Sequence, residues 1–375
     1  MLLVVNSGSS SLKLAVFDGG VERLSARVTE IGGAAQIEVA GQKVVRAVPD
    51  HAAGFAQVLP MLATQGASLT AMTAAAHRVV HGGAGLISAC RITPQTLAAI
   101  ETCIPLAPLH NPANLTGIRA LAALAPDLPQ YASFDTAFHA TNPDVATRYA
   151  IAPTEGLRRY GFHGLSYAAL VLKVHESAGI ARSNRLLALH LGNGASLCAI
   201  QNGKSVATTM GYSPLDGLTM GTRSGSIDGN AVLRLAQVHG IDGASRLLNH
   251  HSGLVALGGH SDMRRLHEAG TPEARFAVDH FCYWAIRHAG SMIAAMGGLD
   301  AVAFTGGIGE NDPIIRAAIL DGLGYMGVSY DRAANLQNAH LLHDSQSRVA
   351  IWTVPAQEEA QIAREANAIR AEEAA

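Results

Sequence analysis

Asn6-Ser7-Gly8-Ser9-Ser10-Ser11 is a run of small polar residues set between apolar stretches at residues 2–5 and 12–17, and it reads as a Gly/Ser turn joining two β-strands. A third extended stretch starts at Val21. Much later, Gly192-Asn193-Gly194-Ala195-Ser196 stands between apolar runs at 186–191 and 197–200, and Gly203-Lys204-Ser205-Val206 opens the next strand. The same pattern has occurred twice, as duplication of one α/β unit would produce. Paired glycines strengthen the correspondence, because residues 74–80 run into His81-Gly82-Gly83 and residues 301–305 run into Gly306-Gly307-Ile308-Gly309. Helical patterns at 112–124, 229–248 and 272–296 lie between these markers, so strands and helices alternate in an α/β protein. Residues 36–50 and 262–271 are polar enough to read as surface insertions. Ile362, Ala366 and Ile369 form a narrow apolar helical face near the C-terminus, suited to docking back on the first unit.

Length and composition fit this plan. A chain of 375 residues exceeds one ordinary core, and its 49% hydrophobic and 15% charged residues suit a compact protein. The 27 basic and 29 acidic residues nearly cancel, which argues against nucleic acid or an anionic membrane surface as partner and for a small molecule. Cys90, Cys103, Cys198 and Cys282 are widely spaced, indicating neither a zinc site nor a disulfide framework and suiting a reducing cytoplasm. Residues 1–5 are too short for a signal segment, and no apolar run reaches the roughly 18 residues of a membrane helix.

Gly/Ser turns let backbone N–H groups converge on an anion, although either turn alone is more often a plain hairpin connection. Residues 303–313 give a strand, a glycine turn, a helix cap at Asn311 or Asp312 and Pro313 near the first helical position. Arg223 lies among small residues in Met220-Gly221-Thr222-Arg223-Ser224-Gly225-Ser226, where its fork can reach a phosphate or carboxylate; alone it is as often an ion-pair residue. His77 and His81 would suit a metal on a helix, but the residues around them read as strand and turn, which argues against zinc there.

In order, these segments change the reading. Asn6-x-Gly8-Ser9-Ser10-Ser11-x-Lys13, His77 to Gly83, Ala107-Pro108-Leu109-His110-Asn111-Pro112, Phe134-Asp135-Thr136-Ala137-Phe138-His139, Tyr160-Gly161-Phe162-His163-Gly164, His190 to Gly194, the Arg223 segment and Gly306 to Asn311 follow one another as in acetate kinases. The chain resembles that family from Asn6 to about Arg364. The resemblance implies two duplicated ribonuclease H-like, actin-like ATPase domains flanking a nucleotide cleft, with residues 1–140 plus about 360–375 in one and 141–359 in the other. It assigns ATP to Lys13, His190, Leu191, Gly192, Asn193, Gly194, Asp262, Met263, Arg264, Gly307, Ile308, Gly309, Glu310 and Asn311. Mg²⁺, with Mn²⁺ as its substitute, falls to Asn6 and Glu358. Arg78 and Arg223 would hold the substrate carboxylate and the transferred phosphoryl group, His163 would stabilise the transition state, and Asp135 would be an acid/base or metal-shell residue. Val80, Leu109, Phe162 and Pro214 match the small apolar pocket for the alkyl end. A homodimer is implied as well.

The expected activity is transfer of the ATP γ-phosphate to acetate, with propionate as the close alternative, since one methylene is worth only about 1 to 3 kcal/mol in such a pocket. A carboxylic acid with a pKa of about 4 is already ionised at neutral pH, so bringing two anions together is harder than removing a proton. A non-catalytic actin-like module would need no second anion site such as Arg78, His163 and Arg223 supply, and a sugar kinase would need polar groups for hydroxyls. Leu165, Tyr167, Ala84, Ser226 and Gly229 depart from the family pattern and leave the pocket rim and the packing behind His163 open.

Overall fold

The computed structural model describes residues 1–178 and 183–375. The chain divides into two compact units, Met1–Phe138 with Gln357–Ala375, and His139–Ala356. Glu358 therefore belongs to the first unit.

Eight strands build the first unit's sheet: β1 (Leu2–Gly8), β2 (Ser11–Asp18), β3 (Val21–Thr29), β4 (Gly33–Val39), β5 (Gln42–Val48), β6 (Ala74–Val79), β7 (Cys90–Arg91) and β8 (Gln130–Phe134), in the spatial order β5-β4-β3-β2-β1-β6-β8-β7. The second unit holds β9 (Arg185–Leu191), β10 (Ala195–Gln201), β11 (Lys204–Thr208), β12 (Ala301–Thr305) and β13 (Ala350–Thr353), ordered β11-β10-β9-β12-β13. Both sheets contain one topology. β3-β2-β1 and β11-β10-β9 are antiparallel meanders, and each continues through two parallel strands, β6-β8 or β12-β13. Such parallel pairs need crossovers, which explains the helices between them.

Residues 36–50 are not an insertion. Ala35, Ile37, Val39 and Val48 are buried on the strands that extend the first sheet, a period-two pattern hidden by the polar residues on the opposite face. Residues 262–271 likewise contain an ordered helix, Met263–Ala269, capped by the Asp262 carboxylate. The glycine turn after β12 is instead a short helix, Gly306–Asn311, and Asp312 then caps the helix Pro313–Gly322 by accepting from the N–H groups of Ile314 and Ile315, each at 3.1 Å. Gly240 (φ 71°) breaks the helical run Gly229–His250.

In the first unit the helix Asn111–Leu124 crosses β1 at Gly117, where an added Cβ would lie 2.0 Å from Ser7 Oγ and 2.9 Å from Ser7 Cβ. Alanine is the better helix former by about 1 kcal/mol, but overpacking costs about 1–3 kcal/mol. Gly117→Ala is therefore expected to lower the unfolding temperature by a few degrees despite its helix propensity. Adding Ser7→Gly should restore most of the loss; equal damage in the double variant would place the strain elsewhere.

Candidate functional site

In the first unit, three adjacent parallel strands deliver Asn6, Arg78 and Asp135 at or just beyond their carboxyl ends, the customary place for a ligand in such sheets. Arg78 forks onto Asp135, with Nε 3.0 Å from Oδ1 and Nη2 2.6 Å from Oδ2. Its Nη1 faces Asn6 Oδ1 at 3.5 Å, and its Nε is 3.8 Å from Glu358 Oε2 at the start of the C-terminal helix Glu358–Glu373. Four residues picked from sequence thus form one cluster. Burial pushes the Asp135 carboxyl upward against the pull of Arg78. Among the described residues no group of three His, Cys, Asp or Glu side chains is arranged to hold a metal. Asn6, Asp135 and Glu358 nevertheless offer only oxygen, the donor set of Mg²⁺ when phosphate and water complete its shell.

Val80 is buried, and its amide is pinned by Asn114 Oδ1 at 3.0 Å; Asn111 brackets His81 through its N–H at 3.1 Å and its C=O at 3.0 Å. Leu109 is half exposed. Lys13 lies opposite Asn6 on β2 and lines a recess of about 350 Å³ with Glu22, Arg27, Glu38 and Glu359. His77 is a structural histidine, bonded to Gln130 at 2.6 Å and held by burial at a pKa of about 4.

In the second unit, a recess of about 810 Å³ is lined by Gly192, Asn193, Asp262, Met263, Arg264, Gly307, Ile308 and Asn311, together with Ser261, His267, Asp312, Pro313 and Ile314. Its size suits a nucleotide-sized ligand. Leu191 and Gly309 lie buried beneath it, and the Glu310 carboxylate is occupied by the N–H groups of Gly306 (3.0 Å) and Ala356 (2.9 Å). Asp312 also accepts from His267 Nε2 at 2.9 Å, a link no sequence pattern announced.

Beside the β9–β10 turn, His163 has φ +59°, a left-handed conformation rare for a side-chain-bearing residue, at the start of the helix Gly164–Ala178. Its ring stacks on that of His190 at 4.0 Å. Ser196 Oγ meets His163 Nδ1 at 2.9 Å and Ser166 Oγ meets His190 Nδ1 at 2.8 Å. Each Nε2 borders the glycine turn: a Cβ on Gly192 would lie 4.0 Å from that of His190, and a Cβ on Gly194 3.3 Å from that of His163 and 3.7 Å from Arg223 Nη1. Arg223 donates to the Pro214 carbonyl at 3.2 Å, and among the described residues no carboxylate pairs with it. Burial lowers its pKa, the direction expected of a cation lacking a counter-ion. Phe162 is buried, its carbonyl accepting from His139. Sequence had not pointed to Asn111, Asn114, Ser166 or Ser196 as supports, because serine and asparagine are too common to stand out before the fold places them.

Two units of one ribonuclease H-like topology, one with a nucleotide-sized recess beside an arginine that has no carboxylate partner among the described residues, define an α/β phosphotransferase of the kinase class. The model of the acetokinase family matches residues 1–364. An acetate kinase from Leifsonia xyli subsp. xyli is 43% identical over 97% of this chain and 98% of its own. Among solved structures, acetate kinase from Porphyromonas gingivalis superposes with a TM-score of 0.91 at 35% identity (98% and 99% of the two chains), and a propionate kinase from Francisella tularensis with 0.92 at 34% (97% and 98%). The chain belongs to the acetokinase family.

The Arg78–Asp135 pair makes a stability test. Arg78→Gln would leave a buried carboxylate unpaired, an expected loss of about 3–5 kcal/mol by urea denaturation. Its raised folded-state pKa sets the sign: the penalty should vanish below about pH 4, where both states are protonated, and grow as pH rises. Arg78→Gln with Asp135→Asn should recover most of the loss.

Proposed function

We propose that the chain is an ATP:acetate phosphotransferase, reversibly giving acetyl phosphate and ADP. The observation that carries this reading is Arg223, a desolvated cation without a carboxylate partner beside His163 Nε2 and the glycine turn. An acetate oxygen attacks the γ-phosphorus in line, the bond from phosphorus to the bridging oxygen breaks, and its electron pair leaves with ADP. No base is required, because the acid is already ionised. Arg223 holds the transferring phosphoryl group, Arg78 the acetate carboxylate, and His163 donates to charge developing on the phosphoryl oxygens. His190 to Gly194, Asp262 to Arg264, Gly307 to Asn311 and Lys13 bind ATP. Mg²⁺, or Mn²⁺ in its place, would be held through Asn6 and Glu358 with Asp135 behind, and would offset phosphate charge. Val80, Leu109, Phe162 and Pro214 receive the methyl group. Propionate is the second reading, favoured by the similarity to the Francisella propionate kinase.

A cytoplasmic homodimer completes the proposal. The four cysteines are free, and among the described residues no helix is long and apolar enough to cross a membrane. Leu233 and Ile241 in the run Gly229–His250, and Phe276 and Tyr283 on the helix Pro272–Met296, are exposed apolar groups of the kind a second copy would cover. Light scattering should give about twice the 38.9 kDa chain mass; a mass of one chain would remove the dimer.

Incubation with ATP, Mg²⁺ and a panel of short carboxylates in hydroxylamine, which traps acyl phosphates, tests the activity. Acetate should lead, and absence of hydroxamate with every acid would overturn the reading. Arg223→Ala is expected to lose at least about 100-fold in kcat while retaining ATP binding. Near-normal turnover would make Arg223 structural.

A further inference from the structure

Residues 209–228, between β11 and the helical run Gly229–His250, form neither helix nor strand, yet they carry Arg223. Without a regular ladder, the aim of that arginine depends on individual contacts. Its main chain is fastened to residues 248–255. The Ser224 N–H donates to the Leu248 carbonyl at 3.2 Å, and the Met220, Gly221 and Thr222 carbonyls accept from the N–H groups of Leu254 (2.9 Å), Val255 (3.0 Å) and Ser252 (3.0 Å). Its guanidinium is held elsewhere, by Nη1 donating to the Pro214 carbonyl at 3.2 Å. Nη1 is also the atom that borders Gly194. A fixed backbone leaves a long side chain several rotatable bonds, so the direction of that nitrogen depends on where the Pro214 carbonyl is kept.

Pro214 is spanned by two attachments to one neighbouring segment. On one side the Tyr212 N–H donates to the Tyr149 hydroxyl at 3.0 Å, and on the other Asp216 Oδ2 accepts from Arg159 Nη1 at 2.8 Å. The two attachments are themselves joined, because the Arg159 guanidinium lies over the Tyr149 ring at 4.4 Å, and the Arg159 N–H donates to the Thr147 carbonyl at 2.7 Å. Asp216 does more than pair with Arg159. Its Oδ1 accepts from the Ser226 hydroxyl at 2.6 Å and from the Gly217 N–H at 3.0 Å, and the Ser226 N–H donates to the Gly217 carbonyl at 3.0 Å. One carboxylate thus gathers both ends of the stretch that contains Arg223 and ties them to Arg159, through charge-assisted bonds.

We propose that Asp216 is a positioning residue for Arg223, fixing the Pro214 carbonyl and thereby the aim of Nη1 toward the glycine turn. The inference rests on the proposed role of Arg223 only for its effect on turnover. Side chains of the Arg159–Asp216 pair remain 38% and 31% exposed, and a pair so exposed contributes little to folding. Its contribution is the placement of the loop, and loss of Asp216 should be felt in catalysis before it is felt in stability.

The test begins with the full-length protein carrying ¹⁵N-labelled arginine, the Arg223 signals being assigned by their loss in Arg223→Lys. Wild type should give distinct Nη1 and Nη2 signals, and in Asp216→Ala they should merge as the guanidinium turns freely. Merged signals in wild type, or distinct signals kept in the variant, overturn the proposal. In the hydroxamate assay Asp216→Ala should lose about 10-fold in kcat, with KM for ATP changed less than about 2-fold. The same substitution made in Arg223→Ala, where nothing remains to be aimed, should cost less than about 2-fold. An equal loss in both backgrounds, an unchanged kcat, or a loss confined to KM for ATP overturns the proposal. Should Asp216→Ala not fold, Asp216→Asn breaks the ion pair at constant volume and enters the same comparisons, with an expected loss of about 5-fold in kcat. Normal turnover in Arg223→Ala would instead defeat the proposed role of Arg223 in the reaction, and the ¹⁵N signals would still decide whether Asp216 positions it.

Discussion

Segments of the second unit approach glycine backbone more closely than a side-chain-bearing residue permits, and its recess depends on that approach. A Cβ on Gly221 would lie 2.1 Å from Asn193 Oδ1, one on Gly306 (φ +80°) 2.7 Å from the Leu191 carbonyl, and one on Gly253 (φ +67°) 2.1 Å from the Met220 carbonyl and 2.5 Å from that of Arg223. These contacts fasten the Arg223 segment to the β9–β10 turn and to the chain at Gly253, and the helix that follows β12 to the end of β9. They also explain how Arg223 is held in place when, among the described residues, its hydrogen-bond acceptors are a carbonyl and a thioether, those of Pro214 and Met220. The positional precision that an ion pair would give comes from glycine packing, and the cation remains unneutralised.

The two arginines represent opposite solutions to burying a guanidinium. Arg78 is matched to Asp135 by a two-point fork, with Glu358 nearby, so its charge is largely spent within the fold. Among the described residues Arg223 has no such partner, and it bears the desolvation cost. The cost of a buried, unpaired cation is recovered only when an anion arrives, which makes Arg223 the stronger indicator of function and Arg78 the stronger structural contact.

Much of this was legible in the sequence because it rests on glycine and apolar periodicity. The turns at Gly8 and Gly192–Gly194, the strands around them and the cap at Asp312 follow from local chemistry, whereas Asn6, Arg78, Asp135 and Glu358 were singled out only through the family resemblance, and the fold brings them together. Residues 36–50 were misread because a half-exposed edge hairpin shows as many polar as apolar residues, and only pairing decides which face is buried. His267, Ser166 and Ser196 escaped notice for another reason. Their parts depend on neighbours 45, 24 and 33 positions away, at Asp312, His190 and His163, and no local pattern encodes such distances.

Shared topology did not produce shared surroundings for the two glycine turns. In the first unit the crossover helix Asn111–Leu124 lies across β1, with Gly117 against Ser7 and Asn114 Nδ2 donating to the Ser7 carbonyl at 2.7 Å, so the strand just before the β1–β2 turn is braced by that helix. In the second unit the chain leaving β12 turns at once into Gly306–Asn311, and the Gly307 amide lies 3.9 Å from the position a Cβ on Gly192 would take. Space beside that turn is left open and becomes part of the recess. One hairpin design is therefore set in two surroundings, braced by a helix across β1 in one unit and bordering an open recess in the other, and the difference lies in where each crossover sets its helix. Substitutions at Gly117 should accordingly be felt as stability, whereas those at Gly192 and Gly194 should be felt first as binding.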